Sequence, residues 1–368
     1  MAERIFGAPR HLALIGPQAC PVEAWPVPFD VGPVLAWRGR RVVMLASGDP
    51  FWFGAGGSIT QHLAAGEWRA IPALSTFALA ASRLGWPIEQ VACLGLHAAA
   101  LGRLRPHLAP GARAILLVRD GAAVLALAER LTAWGFGASA LTVMEALGGP
   151  RERIRTRSAA ALDLADIVHP VAVAVAAAGD GSVLPCASGI ADSWFAHDGQ
   201  ITKRPVRALT LSALAPRPGE RLWDIGGGSG SIAIEWLLSH PATQALAFER
   251  DPVRADRIVA NAAALGVDRL AVVPGAAPDA LAGHALPDAV FVGGGLTAGL
   301  IEWLLAHLPA GTRLVANAVT LETESLLAGL HRDKGGSLLR IDLAEAAPLG
   351  GRRGWQPARP LVQWSGAL

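Results

Sequence analysis

The 368-residue sequence has no tyrosine, only three cysteines and no long uncharged apolar run. Cys20, Cys93 and Cys186 lie far apart, which excludes the C-x-x-C spacing of a metal site and the even count of a disulfide framework. The longest apolar run, Val171–Ala178, has the length of a strand and falls well short of the roughly 20 residues that span a bilayer. The N-terminus also lacks the apolar core and cleavage site of a secretory signal. We therefore expect a cytoplasmic protein that is not inserted in a membrane and has no metal site.

Charged residues are also scarce, at 17% of the chain, and the formal net charge is only +2. A chain so close to neutral lacks the broad positive field that attracts nucleic acid, so we expect no nucleic-acid partner. Hydrophobic residues make up 52% of the sequence, enough for more than one core. Because chains of this length usually divide into domains of about 150 to 200 residues, we predict two domains, residues 1–178 and 179–368.

Both predicted domains alternate strand-like and helical segments. In the first, the apolar runs Arg41–Ala46 and Ala114–Val118 alternate with helical stretches such as Ala122–Trp134, which favours a mostly parallel sheet. The second has the doubly wound α/β pattern. Its predicted strands are Arg221–Ile225, Gln244–Phe248, Leu270–Val273, Ala289–Val292 and Thr312–Ala316. Its predicted helices are Ser231–Leu238, Pro252–Leu265, Ala298–His307 and Leu321–Arg332. Residues 179–218 show neither the helical nor the strand periodicity of hydrophobic residues and are predicted to form a linker and a lid-like segment. Gly350–Pro357 has the composition of a loop.

A glycine-rich turn carries the clearest chemical signal. The strand that ends at Asp224 runs through Gly226, Gly228 and Gly230 into a helix. Glycines allow a tight turn and close approach of a ligand to the backbone, and the helix offers free N–H groups. The spacing is G-x-G-x-G, unlike the G-x-G-x-x-G of dinucleotide sites, and an acidic residue ahead of the loop is unfavourable beside a pyrophosphate.

The ends of the following strands complete this pattern. Glu249 ends the second strand, where a carboxylate can accept hydrogen bonds from both ribose hydroxyl groups. The third strand ends in small residues around Ala276, which leave room for a flat adenine, and the fourth ends in Gly293–Gly295. This ordered set resembles the class I S-adenosylmethionine methyltransferases. The resemblance implies a Rossmann-like domain in which the glycine loop and Asp224 support the methionine part of the donor and Glu249 the ribose, with Ala276 and Gly293 completing the site.

Other functions were weighed against this interpretation. An NAD-dependent dehydrogenase is disfavoured because the glycines at the fourth strand end supply no acid or base for hydride transfer. A DNA methyltransferase is disfavoured because that strand end lacks the Asn/Asp-Pro-Pro-aromatic sequence. A binding-only module, or another small-molecule or RNA class I methyltransferase with a non-catalytic N-terminal domain, remains as an alternative.

Three cations stand just before the second domain's sheet. Lys203, Arg204 and Arg207 suit an acceptor with several carboxylates, or else form a solvated face. The segments Asp198–Arg204, Asp224–Ser231 and Val292–Gly295 resemble the domains of precorrin methyltransferases that methylate C15 and decarboxylate the C12 acetate. The resemblance makes Lys203 and Arg204 the candidates for anchoring the acceptor's carboxylates.

The first domain carries a different series of motifs. They are Leu45–Gly56 with its Ser-Gly-Asp-Pro turn, Ile71–Gly85, Leu94–His97 and Glu145–Arg153. This series resembles the tetrapyrrole (corrin/porphyrin) methylases, whose two-lobed α/β fold holds S-adenosylmethionine between the lobes. By matching position the resemblance implies cofactor-binding roles for a set of residues in these motifs, with Leu147 as a further candidate. The set is Gly48, Asp49, Ser75, Thr76 and His97.

Together the two halves resemble the fused decarboxylating precorrin methyltransferases of cobalamin biosynthesis. That resemblance implies a tetrapyrrole acceptor, S-adenosylmethionine as a consumed cofactor, C5 methylation by the first domain and C15 methylation with decarboxylation by the second. Fused catalytic domains that act on large flat substrates often assemble, so we expect a homo-oligomer. Members of the methylase family open with a strand and a glycine-rich loop that have no counterpart before Met1–Arg10. We therefore expect the first strand to be missing and a sheet edge to be open, either because the sequence starts downstream of the true start or because the activity of the first domain is weakened or lost.

Overall fold

A computed structural model describes residues 1–368, which form two compact units. The first unit contains Met1–Ala99 and Ala109–Gly181. The second contains Ser182–Leu368 together with the short segment Ala100–Leu108. The chain therefore passes from the first unit to the second between Gly181 and Ser182, and a piece of the first half packs with the second unit.

The first unit begins with a small parallel sheet. Its strands are β1 (Arg4–Gly7), β2 (Val22–Ala24) and β3 (Val42–Leu45), in the order β2-β1-β3. The short helices of this lobe are α1 (Pro9–Leu12), α2 (Gly32–Leu35) and α3 (Ala55–Thr60). Phe6, Val34 and Ile59 form its core. The central position of β1 places the residues that follow it, including Arg10, at the carboxyl ends of the strands.

The second lobe of the first unit contains a five-stranded sheet in the order β4-β5-β8-β6-β7. The strands are β4 (Ala92–Gly95), β5 (Arg113–Val118), β6 (Ala140–Glu145), β7 (Arg153–Ser158) and β8 (Val171–Ala176), and the helices are α4 (Thr76–Leu84) and α5 (Gly121–Ala133). Only β4 and β5 pair in parallel, whereas β8 runs antiparallel to both its neighbours and β6 antiparallel to β7. The prediction of a mostly parallel sheet is therefore wrong for this lobe, because strand direction depends on long-range pairing that local alternation does not record.

The second unit contains a seven-stranded sheet in the order β11-β10-β9-β12-β13-β17-β14. Its strands are β9 (Arg221–Ile225), β10 (Gln244–Glu249), β11 (Ala271–Pro274), β12 (Ala289–Val292), β13 (Arg313–Ala318), β14 (Ser337–Ile341) and β17 (Leu361–Ala367). The strands from β11 to β13 in this order pair in parallel, whereas β17 runs antiparallel to both of its neighbours, β13 and β14. This is the predicted Rossmann-like architecture.

Five helices accompany this sheet: α6 (Arg204–Leu214), α7 (Ser231–Ser239), α8 (Pro252–Ala264), α9 (Ala298–His307) and α10 (Leu321–Lys334). Helix α6 lies in the stretch for which no regular element was predicted. The predicted loop at residues 350–357 is also wrong, since β15 (Ala344–Leu349) and β16 (Arg352–Pro357) pair as an antiparallel hairpin. No helix in the chain combines the length and apolar character needed to cross a membrane.

The packing of the second unit fixes where its loops meet. Successive residues of β9 point to opposite faces, so Leu222 joins the core on one face and Trp223 joins Phe248 and Trp364 on the other. Strand β9 lies between β10 and β12. Because parallel strands end at the same edge of a sheet, the loops after β9, β10 and β12 are neighbours there.

Candidate functional site

The loop after β9 has a backbone that only glycine adopts readily. Gly226, Gly228 and Gly230 have φ angles of +74°, +60° and +76°, in the left-handed region. The amide of Gly226 donates a hydrogen bond to the Phe248 carbonyl at 2.9 Å. A Cβ atom on Gly226 would lie 2.9 Å from the carbonyl oxygen of Gly294. The loops after β9 and β12 are therefore in contact, and their glycines permit this close approach.

Glu249 ties the second strand end to the same loop. Its carboxylate is 5% exposed, with Oε2 accepting from the Gly228 amide at 2.8 Å and Oε1 from the Asp251 amide at 3.0 Å. A carboxylate has about four acceptor positions, so each oxygen can accept a further bond from a ligand hydroxyl. The Gly275 amide donates to the backbone carbonyl of Glu249 at 3.0 Å, which holds the end of β11 beside the end of β10.

Small, exposed residues follow the neighbouring strand ends. Ala276 follows Gly275 and is exposed. Gly293 is also exposed, and its amide donates to the Ile225 carbonyl at 3.1 Å. The structure therefore brings the glycine loop, Glu249, Ala276 and Gly293 to one edge of the sheet.

Asp224 lies behind this edge. Its side chain is buried, Oδ2 accepts from the Ala233 amide at 3.1 Å, and Oδ1 has no hydrogen-bond partner. Burial raises the pKa of Asp224 to about 7, with a smaller contribution from the charge of Glu249 that the Ala233 amide opposes. In this position the carboxyl group fixes the first turn of α7 to β9, and its role toward a cofactor stays a prediction.

The cations before the sheet have separate positions. Arg207 is completely buried, and its guanidinium donates to Glu235 at 2.5 Å, to the Ile190 carbonyl at 2.5 Å and to Asp192 at 3.0 Å. These bonds occupy the group within the protein, so the hypothesis that Arg207 meets the acceptor's carboxylates is wrong. A buried arginine with this many partners organises the segment around it.

Lys203 and Arg204, in contrast, are exposed. The Lys203 ammonium is 4.0 Å from Asp192 Oδ2, and Arg204 Nε donates to the Gly189 carbonyl at 2.8 Å. Both lie at the start of α6, just after a segment whose Gln200 carbonyl is 3.7 Å from the position of a Cβ on Gly228. The segment with these two cations therefore runs beside the glycine loop.

Sequence reasoning missed the side chain that fastens this segment. Asn261 is buried in α8, where Oδ1 accepts from the Ala196 amide and Nδ2 donates to the carbonyls of Ala196 and Ser229, each at 2.9 Å. It joins the segment before α6 to the glycine loop. The signal in the sequence was its position, since this asparagine lies about one helical turn after Ile258 on the same face of α8.

Asp198 provides a second connection between this segment and α8. Its Oδ2 pairs with Arg254 at 2.9 Å and with Arg257 at 3.0 Å. The Arg257 guanidinium, with the Gln200 amide and Arg254, holds the pKa of Asp198 well below its usual value. The carboxylate therefore stays ionised and paired at neutral pH.

The first unit has a cleft of about 560 Å³ between its two lobes. Its lining includes all five residues predicted for the cofactor in this unit, together with Leu147. The five are Gly48, Asp49, Ser75, Thr76 and His97. A volume of this size suits a small-molecule ligand.

Backbone geometry explains how these residues meet. Gly48 has a φ of +54°, and a Cβ there would lie 2.7 Å from the Leu74 carbonyl oxygen. The turn after β3 is therefore in close contact with the residues just before α4. Asp49 Oδ1 accepts from the Phe51 amide at 2.8 Å. Ser75 caps α4 by accepting from the Ala78 amide at 3.1 Å.

Sequence reasoning gave no binding role to Arg10 and four other lining residues, His11, Ser47, Arg119 and His169. No group of three or more His, Cys, Asp or Glu side chains in the chain could hold a metal ion.

Two family models match the chain, one in each half. A model described as tetrapyrrole (corrin/porphyrin) methylases matches residues 34–163. A model described as precorrin methyltransferase domain matches residues 193–367. These matches agree with the two folds expected from the motifs.

Relatives extend the similarity over nearly the whole chain. A precorrin-6Y C(5,15)-methyltransferase [decarboxylating] from Sinorhizobium sp is 51% identical over 368 residues, covering 98% of this chain and 89% of that protein. One with the same description from Mycobacterium tuberculosis is 43% identical and covers 98% of this chain and 92% of that protein. Among solved structures, the C-terminal domain of precorrin-6Y C5,15-methyltransferase from Rhodobacter capsulatus is 53% identical with a TM-score of 0.49, covering 50% of this chain and 100% of that one. This chain therefore belongs to the precorrin-6Y C5,15-methyltransferase (decarboxylating) family.

Proposed function

We propose that this chain methylates a precorrin at C5 and C15 with S-adenosylmethionine and decarboxylates the C12 acetate side chain, as a step of cobalamin biosynthesis. The observation that carries the proposal is the meeting of three features at one sheet edge of the second unit. They are the loop of Gly226–Gly230, the Glu249 carboxylate and the bare strand end at Gly293. Membership of the family supports the reaction.

The residues of this edge fit the methyl donor. Glu249 can accept bonds from the ribose hydroxyls while it keeps its two backbone partners. A side chain on Gly226 would fill the space that the loop leaves beside Gly294. When bound, S-adenosylmethionine supplies an electrophilic methyl group on a sulfonium with a neutral leaving group. The protein needs to align this group with the acceptor carbon and exclude water, which makes positioning the main contribution to rate.

The acceptor requires groups that orient its carboxylates. Lys203 and Arg204 are exposed cations beside the glycine loop, and charge-assisted bonds to carboxylates are among the stronger hydrogen bonds in proteins. Loss of the acetate carboxyl as carbon dioxide leaves an electron pair that the conjugated macrocycle can absorb, and a proton from water then completes the methyl group. In this proposal the two cations hold acceptor side chains and no side chain acts as a nucleophile.

In the same proposal, the first unit methylates C5, and the second methylates C15 and promotes the decarboxylation. The two matched family models, one in each half, support this division. The cytoplasm is the proposed location because the methyl donor is made and used there. A homo-oligomer is proposed because fused catalytic domains that share a large flat acceptor often assemble, and the partner is the tetrapyrrole and no nucleic acid.

Mass spectrometry of the product tests this function. The purified chain is incubated with S-adenosylmethionine and precorrin-6Y, the acceptor in the family's name, and the mass gained is followed with time. We expect two methyl groups gained and one carbon dioxide lost. A Glu249→Ala variant should still add the C5 methyl group and should lose the C15 methyl group. An unaltered acceptor mass with the wild-type chain contradicts the proposal.

The anchoring role of Lys203 and Arg204 has its own measurement. Single Lys203→Ala and Arg204→Ala variants should raise the KM for the acceptor in the second-unit reaction, because each removes a charged donor. If both variants methylate C15 and decarboxylate at wild-type rates over all acceptor concentrations, the anchoring role is wrong.

A further inference from the structure

One arginine in the cleft of the first unit has only uncharged partners. The Arg10 guanidinium contacts His11 Nε2 at 3.2 Å, His169 Nε2 at 3.3 Å and Ser47 Oγ at 3.1 Å. All four residues line the cleft. None of these three contacts supplies a negative charge, since the partners are two imidazoles and a hydroxyl group.

The hydrogen bonds around the imidazoles identify their tautomers. His169 Nδ1 faces the Arg119 carbonyl at 2.9 Å, so this nitrogen carries the proton and Nε2 accepts from Arg10. His11 Nε2 lies between Arg10 and Ser47 Oγ, which is 2.7 Å away, and accepts there. Burial, with help from the Arg10 charge, lowers the pKa of His11, which favours the neutral ring. The positive charge of Arg10 is therefore not compensated by its neighbours.

Arg10 differs in this respect from several other arginines of the same unit. Seven pair with carboxylates within 4.0 Å: Arg4, Arg38, Arg40, Arg83, Arg153, Arg155 and Arg157. Arg119, which also lines the cleft, pairs with Asp120. Asp49 is the carboxylate in the cleft lining and forms no ion pair with Arg10. An arginine held by neutral groups in a cleft is poised for an anionic ligand.

The donor count allows that ligand to bind through two bonds. A guanidinium has five N–H donors, and the three contacts use one each on Nε and the two terminal nitrogens. Each terminal nitrogen therefore keeps one free N–H. A planar pair of N–H donors matches the two oxygens of a carboxylate.

We propose that Arg10 binds a carboxylate side chain of the tetrapyrrole acceptor in the first unit, with His11, Ser47 and His169 fixing the guanidinium. This inference rests on the proposed function and adds the group that recognises the acceptor. The cleft is also lined by Trp52, whose ring is 39% exposed and packs 4.9 Å from Phe77. A flat apolar macrocycle with carboxylates on its rim requires both an aromatic surface and a cation.

A carboxylate could also come from the methionine part of the donor, so the experiment separates the two sources. Arg10→Gln and Arg10→Lys are made in the full chain. Binding of S-adenosylhomocysteine without acceptor is measured by calorimetry. Binding of precorrin-6Y without donor is measured by quenching of tryptophan fluorescence, and the KM and kcat of C5 methylation are measured with both. Arg38→Gln is the matched control, since Arg38 pairs with Glu67 and does not line the cleft.

We expect Arg10→Gln to raise the acceptor Kd and KM about tenfold to a hundredfold, as for loss of a charged hydrogen bond. Donor affinity and the melting temperature should match those of Arg38→Gln, and Arg10→Lys should restore part of the acceptor affinity. Weaker donor binding with an unchanged acceptor KM, or no change in either, overturns the inference. A wild-type chain that neither binds nor methylates the precorrin refutes the proposed function and, with it, this inference. A wild-type chain that methylates C5 while Arg10→Gln behaves identically refutes the inference alone.

Discussion

Replacement of Glu249 by glutamine should weaken binding of S-adenosylhomocysteine to the second unit and leave binding to the first unit unchanged. In the wild-type chain both carboxylate oxygens accept backbone N–H groups, at 2.8 Å from Gly228 and 3.0 Å from Asp251, and the side chain is 5% exposed. In Glu249→Gln, one oxygen becomes an NH₂ group that faces an N–H donor. The ribose hydroxyls then lose a hydrogen bond to a charged acceptor, and such a bond contributes about 1.5 to 3 kcal/mol.

That cost converts to a loss of roughly tenfold to 150-fold in donor affinity, because 1.4 kcal/mol corresponds to a factor of ten. The loss has two sources. The amide no longer offers an anionic acceptor to the ribose hydroxyls, and the Gly228 amide is no longer held in the orientation that shapes the loop.

Calorimetric titration of S-adenosylhomocysteine into the intact chain measures the effect. With a candidate donor site in each unit, one binding event should weaken and the other should persist. Asp256→Asn is the control, since it removes a negative charge from the exposed side of α8 without touching the loop. The reasoning is refuted if Glu249→Gln leaves both binding events unchanged, or if Asp256→Asn weakens one equally.

Three further predictions concern stability and the glycine loop. Arg207→Leu leaves Glu235 buried without its charged partner and should lower the free energy of unfolding, measured in urea, by about 3 to 5 kcal/mol. A loss below about 1 kcal/mol contradicts the description of a buried ion pair. The pKa of Asp224 is raised from 3.8 to about 7, so the folded state binds an extra proton between these values. The unfolding free energy of the wild-type chain should therefore fall as pH rises through that window, and Asp224→Asn should lack this part of the decline. Gly226→Ala places a Cβ 2.9 Å from the Gly294 carbonyl at a φ of +74°, and calorimetry should show at least about tenfold weaker donor binding in the second unit alone.

The fold of the second unit could be predicted well because its local signals agree. Each predicted strand lies within about two residues of the observed one, and the glycine turn after Asp224 marks the switch from strand to helix. Parallel strands end at one edge, so Gly226 and Glu249 could be placed together before any contact was known. In the first unit the family motifs supplied the cleft residues that periodicity does not identify.

Helix α6 was missed for a physical reason. Its buried face contains Val206 and Leu211 but also Arg207 and Thr210, whose polar side chains interrupt the apolar period. Arg207 is buried because Glu235 and backbone carbonyls complete its hydrogen bonds. From the sequence alone, Arg207 is equally compatible with an exposed cation and with a buried one, so its burial could not be predicted.

Nonlocal contacts account for the other differences. The antiparallel position of β8 between β5 and β6 is set by pairing across the sheet, although the apolar run Val171–Ala178 does have the length of a strand. Asn261 bonds to Ala196, and Arg10 contacts Ser47 and His169, which lie far away in the sequence. No local pattern marks such residues as binding or positioning groups.

The carbon-13 NMR spectrum of the product tests the central claim most directly. Precorrin-6Y is incubated with the unaltered chain and S-adenosylmethionine labelled in its transferable methyl group. We predict two labelled methyl signals on ring carbons, assigned to C5 and C15, together with loss of the C12 acetate carboxyl signal. A spectrum with no labelled methyl group on the macrocycle, or with label only on nitrogen or oxygen, contradicts the account.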